Sequence, residues 1–487
     1  MTAGEIILIA IAASLGALIV FMILRTIFTK PSKTAFSNQG FEPIAVDQDR
    51  VAKHLSEAVK IPTLTVLNEG MSYQPFLDFH NYLEKAYPLF HKAAKKTIIN
   101  NYSLIYKIEG SDKDLLPGCF LAHQDVVPAP PQGWEVEPFS GAIKDGFVYG
   151  RGSQDMKGQM IALLEALEIM LENGFKPRRT IYCCFGHDEE FTGKEGAKNI
   201  AAYLEKKGIR MEFVLDEGGT VLDGSIIGVN GMMALIGTCE KGYLDLELKA
   251  KKPGGHSSSP LKRNAVDLVA EAVYDVAMTP MKCKWNLPVK QLFKALAPHM
   301  KPLYKFIFVN RDILSPLLKL ALRVAHPVTA SLIRTTFAAT QMKGSDAPNV
   351  LPPEATATIN CRININESIA DVVKHVKNVV GKNIEVTVLP GEAEPTPVSD
   401  IDTPAYKILT HTINEVFENF LPAPYPFIAA TDAKYYYRIC NNVYRFTPFT
   451  VSEDDRNRIH ALNERLEIKA LVKATQFFAR FIENSCG

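Results

Sequence analysis

FLAHQDVVPAPPQGWEVEPFSGAIKDGFVYGRGSQDMKGQM, residues 120–160, is the stretch that decides the fold of this chain. An apolar run from Phe120 to Ala122 delivers His123 and Asp125, and a turn-rich loop through Pro128, Pro130 and Pro131 follows. A second loop, Gly150-Arg151-Gly152-Ser153-Gln154, presents Asp155 just ahead of a long helical pattern. Two residues fit to bind a hard or borderline cation thus stand at the ends of two regular elements, where loops on a scaffold build sites.

The rest of a metal-binding set follows downstream. A strand-like run, Ile181 to Phe185, ends in Gly186-His187-Asp188-Glu189-Glu190, and a second, Phe213 to Leu215, ends in Asp216-Glu217-Gly218-Gly219. Both place carboxylates at the carboxyl end of a buried strand, where open α/β sheets form their ligand crevice. His460 adds an imidazole near the C-terminus. Two histidines and several carboxylates, with no cysteine needed, suit Zn²⁺ or a similar divalent ion in a hydrolase. Cys183 and Cys184 lie in the core-like strand and read as inert packing.

The blocks HQDVVP, GRGSQDMKG, HDEE, LDEGG and IHALNER resemble, in order, the signature blocks of the two-zinc metallopeptidase family that contains the aminoacylases and carboxypeptidase S. The resemblance runs from about Val51 to the C-terminus. It implies two zinc ions per subunit, with His123 and Asp216 on one, Glu190 and His460 on the other, and Asp155 bridging them. It implies that Asp125 fixes the imidazole of His123 and that Glu189 is the general base. His256 is similar to a family histidine that reaches across a dimer to the scissile oxyanion. Asn349 and Arg362 match positions that hold the substrate's free carboxylate, which an arginine fork suits. Asp188, Glu217 and His187 have no ligand role in that pattern and read as solvated or packed neighbours. One departure bears on substrate binding: Ala429-Ala430-Thr431-Asp432-Ala433-Lys434 stands where relatives often show Gly-Gly-Thr-Asp-Ser-Arg.

The chain has 487 residues, enough for two or more domains with ample core. Its 54 basic and 53 acidic residues balance, which argues against a nucleic-acid footprint. Eight cysteines form neither a disulfide framework nor a CxxC metal set. Helical spacing over 47–60, 74–87 and 156–174 and the β-α-β rhythm through 181–215 predict an α/β fold, a mostly parallel sheet with helices on both faces. After about Gly242 the pattern changes to strict alternation, Tyr243 to Lys249, as in a sheet with one wet face. With a helix over 265–277, strands over 356–365 and 384–389 and a helix over 369–380, this set looks like the family's α+β lid, inserted in the catalytic domain and used there for dimerisation.

The expected organisation is therefore a signal-anchor or signal peptide at 1–29, a tether at 30–45, catalytic parts at 46–241 and 393–487, and a lid at 242–392. Within the lid, 287–336 is an apolar segment interrupted by Lys301, Lys305, Arg311, Lys319 and Arg323, too polar to span a bilayer. It reads as helices packed on the lid, or else as an acyl-chain channel or a surface that lies on lipid. At the N-terminus, Ile6 to Leu24 is unbroken by charge and nearly long enough to cross a hydrocarbon core of ~30 Å. Basic residues follow it, at Arg25, Lys30 and Lys33, which by the positive-inside rule keeps the bulk cytosolic. The resemblance and two sequons, at Asn101 and Asn366, instead favour a lumenal, external or secreted catalytic domain.

The insertion and the run Ser331 to Thr340 most resemble the N-fatty-acyl-amino-acid synthase/hydrolase branch. The expected function is a zinc-dependent amidohydrolase that cleaves, and in reverse forms, N-fatty-acyl amino acids. A membrane-anchored carboxypeptidase acting on short peptides is the alternative within the family, and a non-catalytic lipid- or protein-binding module the alternative outside it.

Overall fold

Strands Gly118–His123 and Ile181–Gly186 are buried at every position, and Phe213–Asp216 likewise. Their continuous apolar runs follow from burial on both faces. Alternate side chains, Phe120, Ala122, Cys183, Phe185 and Leu215, enter a core shared with helices Gln48–Val59, Lys157–Glu172 and Ile468–Cys486. The others, Cys119, Leu121, Cys184 and Val214, enter a second core under helix Ala197–Lys206 and the 3₁₀ helix Asp432–Arg438. Each large apolar side chain so buried contributes about 1.5–3 kcal/mol.

The computed structural model describes residues 2–31, 41–65, 72–260 and 262–487. The expected tether falls largely on 32–40, outside the described residues. The chain forms two units: one of Ser32–Thr238, Ser399–Phe427 and Thr431–Gly487, the other of Met1–Pro31, Cys239–Val398 and Ile428–Ala430.

In the first unit the strand order is Ala94–Ile99, Ser103–Ile108, Ile181–Gly186, Gly118–His123, Phe213–Asp216, Val443–Arg445, Met232–Glu240, Phe420–Phe427. The four strands from Ile181–Gly186 to Val443–Arg445 are parallel, and their flanking neighbours Ser103–Ile108 and Met232–Glu240 pair antiparallel. The sheet is thus mixed rather than mostly parallel. One reason is local: Asn100 and Asn101 both take positive φ, 48° and 67°, and with Tyr102 form the three-residue loop of a hairpin between Ala94–Ile99 and Ser103–Ile108.

The second unit holds an antiparallel sheet ordered Thr336–Lys343, Glu354–Ile363, Gly242–Lys251, Glu385–Val388. Leu244, Leu246, Leu248 and Ala250 face a core with helices Ala265–Met278 and Ile369–Val380, and the residues between them are only half-buried. Four helices follow Trp285: Leu287–Leu296, Pro302–Val309, Ser315–Ala325 and Pro327–Ile333. The N-terminal helix Ala3–Phe28, of mean hydropathy 3.0 over its most apolar window, belongs to this unit and is long and apolar enough to cross a membrane. By length and composition it is a candidate membrane span or signal sequence.

Candidate metal centre

His123 is the last residue of its strand and is 1% exposed. Its Nδ1 lies 2.9 Å from the Asp125 carbonyl oxygen and 3.4 Å from Asp125 Oδ1, which aims Nε2 outward from the sheet. Nε2 meets Asp155 Oδ1 at 3.0 Å and Glu217 Oε1 at 3.3 Å. The other oxygen of Asp155, Oδ2, lies 3.1 Å from His460 Nε2. His460 Nε2 is also 3.1 Å from Glu190 Oε2. One carboxylate therefore turns one oxygen to each histidine, as a bridging ligand must.

The loops that deliver these groups are fixed by buried polar contacts. Asp125, fully buried, accepts the backbone N–H of Glu189 with Oδ1 (3.2 Å) and that of Glu190 with Oδ2 (3.1 Å). Glu464, also fully buried, accepts from Gln154 N at 2.8 Å and Asp155 N at 3.2 Å, and pairs with Arg151 Nη1 at 2.5 Å. Gly150 N donates to the Glu464 carbonyl, so the His460 loop and the Asp155 loop are stitched together. His460 itself takes φ 60°, a left-handed conformation that costs a non-glycine residue and persists where surroundings impose it. Asp188 is occupied elsewhere, accepting from Glu195 N and Gly196 N, and His187 packs against Ser103 through Nδ1 at 2.6 Å.

Charge is strongly perturbed here. Burial, opposed by His123 and reinforced by Glu217, Asp432 and Glu190, holds the Glu189 carboxyl well above the usual carboxylate range. Burial and the charge of Asp155 push Glu217 up to about 8. Hydrogen bonds to Asp155 and Glu190 raise His460 to about 10. Burial opposes charge on His123, yet Glu217, Asp125 and Asp155 outweigh it and raise its pKa well above the imidazole range. Carboxylates and imidazoles crowded at 3.0–3.3 Å with perturbed titration are the signature of a functional site. Among the described residues, two donor groups fit a metal ion: His123, Glu189 and Glu217, and His123, Asp155 and Glu190.

Of the ligands the sequence suggests, His123, Asp155, Glu190 and His460 converge, with Glu189 and Asp125 beside them. Asp216 stands differently. Its Oδ2 accepts from Ala433 N at 2.9 Å and its Oδ1 from Glu217 N, while the neighbouring Glu217 places Oε1 3.3 Å from His123 Nε2. The sequence reading gave Glu217 no ligand role; Asp216 is the last strand residue and shares the face of Val214, where Ala433 packs, whereas Glu217 is the first residue past the strand. The departing loop is close by. Asp432 is buried with neither carboxylate oxygen partnered among the described residues, and burial together with Asp216 holds its pKa well above the carboxylate range.

His256, Asn349 and Arg362 belong to the other unit. His256 pairs with Val350 across two short strands, and Ser257 N donates to the Asn349 carbonyl. Ser258 N donates to His256 Nδ1 at 3.1 Å, which leaves the ring proton of neutral histidine on Nε2. Arg362 lies on strand Glu354–Ile363 with its guanidinium 4.8 Å over the Tyr243 ring.

The model of peptidase family M20/M25/M40 matches residues 119–484. The chain belongs to this family. As an M20 peptidase it is a metal-dependent hydrolase of amide bonds. It is 37% identical to the N-fatty-acyl-amino acid synthase/hydrolase of Xenopus tropicalis over 99% of this chain and 95% of that protein. It is 34% identical to the probable carboxypeptidase S-like 2 of Dictyostelium discoideum, over 99% and 95%. The M20 fold is also seen in the metallo-carboxypeptidase Sso-CP2 of Sulfolobus solfataricus, with TM-score 0.66 and 20% identity over 89% of this chain and 98% of that one.

Proposed function

We propose that this M20 enzyme is a two-zinc amidohydrolase that cleaves, and in reverse forms, N-fatty-acyl amino acids. The observation that carries the two-ion reading is Asp155, whose Oδ1 and Oδ2 turn to His123 and His460 respectively. His123, Asp155 and Glu217 would hold one ion, and Asp155, Glu190 and His460 the other. Glu217 takes the place that the family pattern suggested for Asp216. When bound, such a pair lowers the pKa of water and polarises the amide carbonyl.

Glu189, next to the ligand Glu190 yet free of it, takes a proton from the attacking water. The water oxygen bonds to the amide carbon, the C–N bond breaks, and Glu189 returns the proton to the leaving amine. His256, through Nε2–H, donates to the developing oxyanion, and Asn349 and Arg362 hold the free carboxylate of the amino acid. The second unit is the family lid, through which two copies associate. The helix Ala3–Phe28 anchors the enzyme to a membrane, with the catalytic unit on the lumenal or outer side.

Full-length similarity to the Xenopus synthase/hydrolase supports the acyl substrate. Similarity to carboxypeptidase S-like proteins favours a second reading, release of C-terminal residues from short peptides. Purified protein assayed on N-oleoyl-phenylalanine and on a blocked dipeptide separates the two. Release of phenylalanine from the acylated substrate is expected, and activity on the dipeptide alone overturns the proposal.

A further inference from the structure

Helix Ser315–Ala325 is apolar on two sides. Leu318 and Leu322 are buried in the unit, but Leu317, Leu320 and Val324 point away from it, 69%, 55% and 75% exposed. With Ala321 they form a stripe at i, i+3, i+4 and i+7, the spacing of a helix face that wants an apolar partner. Leu303 on the preceding helix, 68% exposed, and Val328 on the following one add to the uncovered surface. Between residues 287 and 336 stand eight lysines and arginines against a single acidic residue, Asp312.

That lone carboxylate is engaged with the N-terminal helix. Arg25 Nη1 pairs with Asp312 Oδ1 at 2.8 Å, and Asn310 Nδ2 donates to Met22 O at 3.2 Å and Thr26 Oγ1 at 3.0 Å. Met22 is the buried residue of helix Ala3–Phe28. The turns from Ala3 to Phe21 remain uncovered, and they rise roughly 28 Å at about 1.5 Å per residue, close to the ~30 Å of a hydrocarbon core. Asn310 and Asp312 sit in the turn that leads into helix Ser315–Ala325, so the apolar stripe starts within two turns of the point where the spanning-length helix emerges.

We infer that the segment 287–336 is a lipid-docking platform: the stripe Leu317, Leu320, Val324 lies in the interfacial layer of the same bilayer that helix Ala3–Phe28 enters, with the basic residues on anionic headgroups. Three features select a bilayer over another protein. The surface is continuous with a helix of spanning length, its charge is almost wholly positive, and its apolar side chains are flanked by lysine and arginine in the manner of interfacial helices. An inserted platform also offers a way for a membrane-dissolved acyl chain to reach the enzyme, although the docking stands without any claim about substrate.

The test uses the full chain reconstituted into vesicles of phosphatidylcholine and phosphatidylserine. Cys283 is the half-buried cysteine and the other seven are buried, so a Cys283→Ser background accepts one new label. Leu320→Cys, at an exposed position, carries an environment-sensitive fluorophore, and Glu385→Cys on the edge strand serves as control. Quenching by lipids bearing a nitroxide near the headgroup is expected to be severalfold stronger at position 320 than at 385. It is expected to weaken when Lys319 and Arg323 are changed to Glu. Equal quenching at both positions overturns the inference. So does a blue-shifted label at 320 that lipid nitroxides fail to quench, since a protein surface would then be covering the stripe.

Discussion

Asp125 holds Glu189 by its backbone N–H, at 3.2 Å, and with its other oxygen holds Glu190. Its carbonyl also lies 2.9 Å from His123 Nδ1, so one residue sets the histidine ring, the base and a carboxylate ligand together. Asp125→Asn keeps the shape but turns one acceptor into a donor facing an N–H. Metal affinity or activity is expected to fall by ~10–100-fold, as for partners behind metal ligands generally. Titration of metal-free variant with Zn²⁺ checks this; unchanged affinity and rate would show that the tether is dispensable.

Asp216 and Glu217 make opposite predictions. Glu217→Ala is expected to lose one of the two ions per chain, whereas Asp216→Asn is expected to keep both and to suffer mainly in stability through the Ala433 N–H it accepts. Elemental analysis of the two purified variants decides between them. Metal loss in Asp216→Asn with retention in Glu217→Ala would restore the ligand set that the sequence pattern implies.

Most of the first unit was legible because strands buried on both faces leave an unbroken apolar run, and Ile181 to Phe185 could scarcely be anything else. The alternation from Tyr243 to Lys249 was legible for the complementary reason, one face only being buried. What was missed depends on single residues. The strand Ala94–Ile99 begins with Ala-Lys-Lys, a weak strand signal, and is defined by a hairpin at Asn100-Asn101 whose positive φ values cannot be seen in composition. The choice between Asp216 and Glu217 turns on where the strand stops, the least legible property of any element. The role of Glu464 was hidden because its partners lie more than three hundred residues away.

Arg151 is the cation in direct ion-pair contact with buried Glu464. Arg151→Leu leaves that carboxylate unpaired, and a loss of about 3–5 kcal/mol is expected from the general cost of breaking a buried pair. Urea unfolding of the metal-loaded variant measures it. A shift within error would mean that the backbone N–H groups of Gln154 and Asp155 suffice.

Metal uptake should expel protons. In the metal-free protein His460 is raised to about 10, so near neutral pH it is charged, and a ligand imidazole must be neutral. Affinity is therefore expected to fall as pH falls. The contacts of His460 with Asp155 and Glu190 stabilise the metal-free protein fully below the ordinary histidine value of ~6.5 and are lost as pH rises through about 10. Calorimetric Zn²⁺ titration in two buffers of different ionisation heat reads the released protons. Identical heats in both would contradict the assigned charges.

The most direct measurement pairs metal content with turnover in Glu189→Gln. The account predicts two ions per chain, as in the parent, and release of phenylalanine from N-oleoyl-phenylalanine slowed by ~10²–10⁴-fold, the usual contribution of a general base. Turnover near that of the parent, with both ions in place, would contradict it.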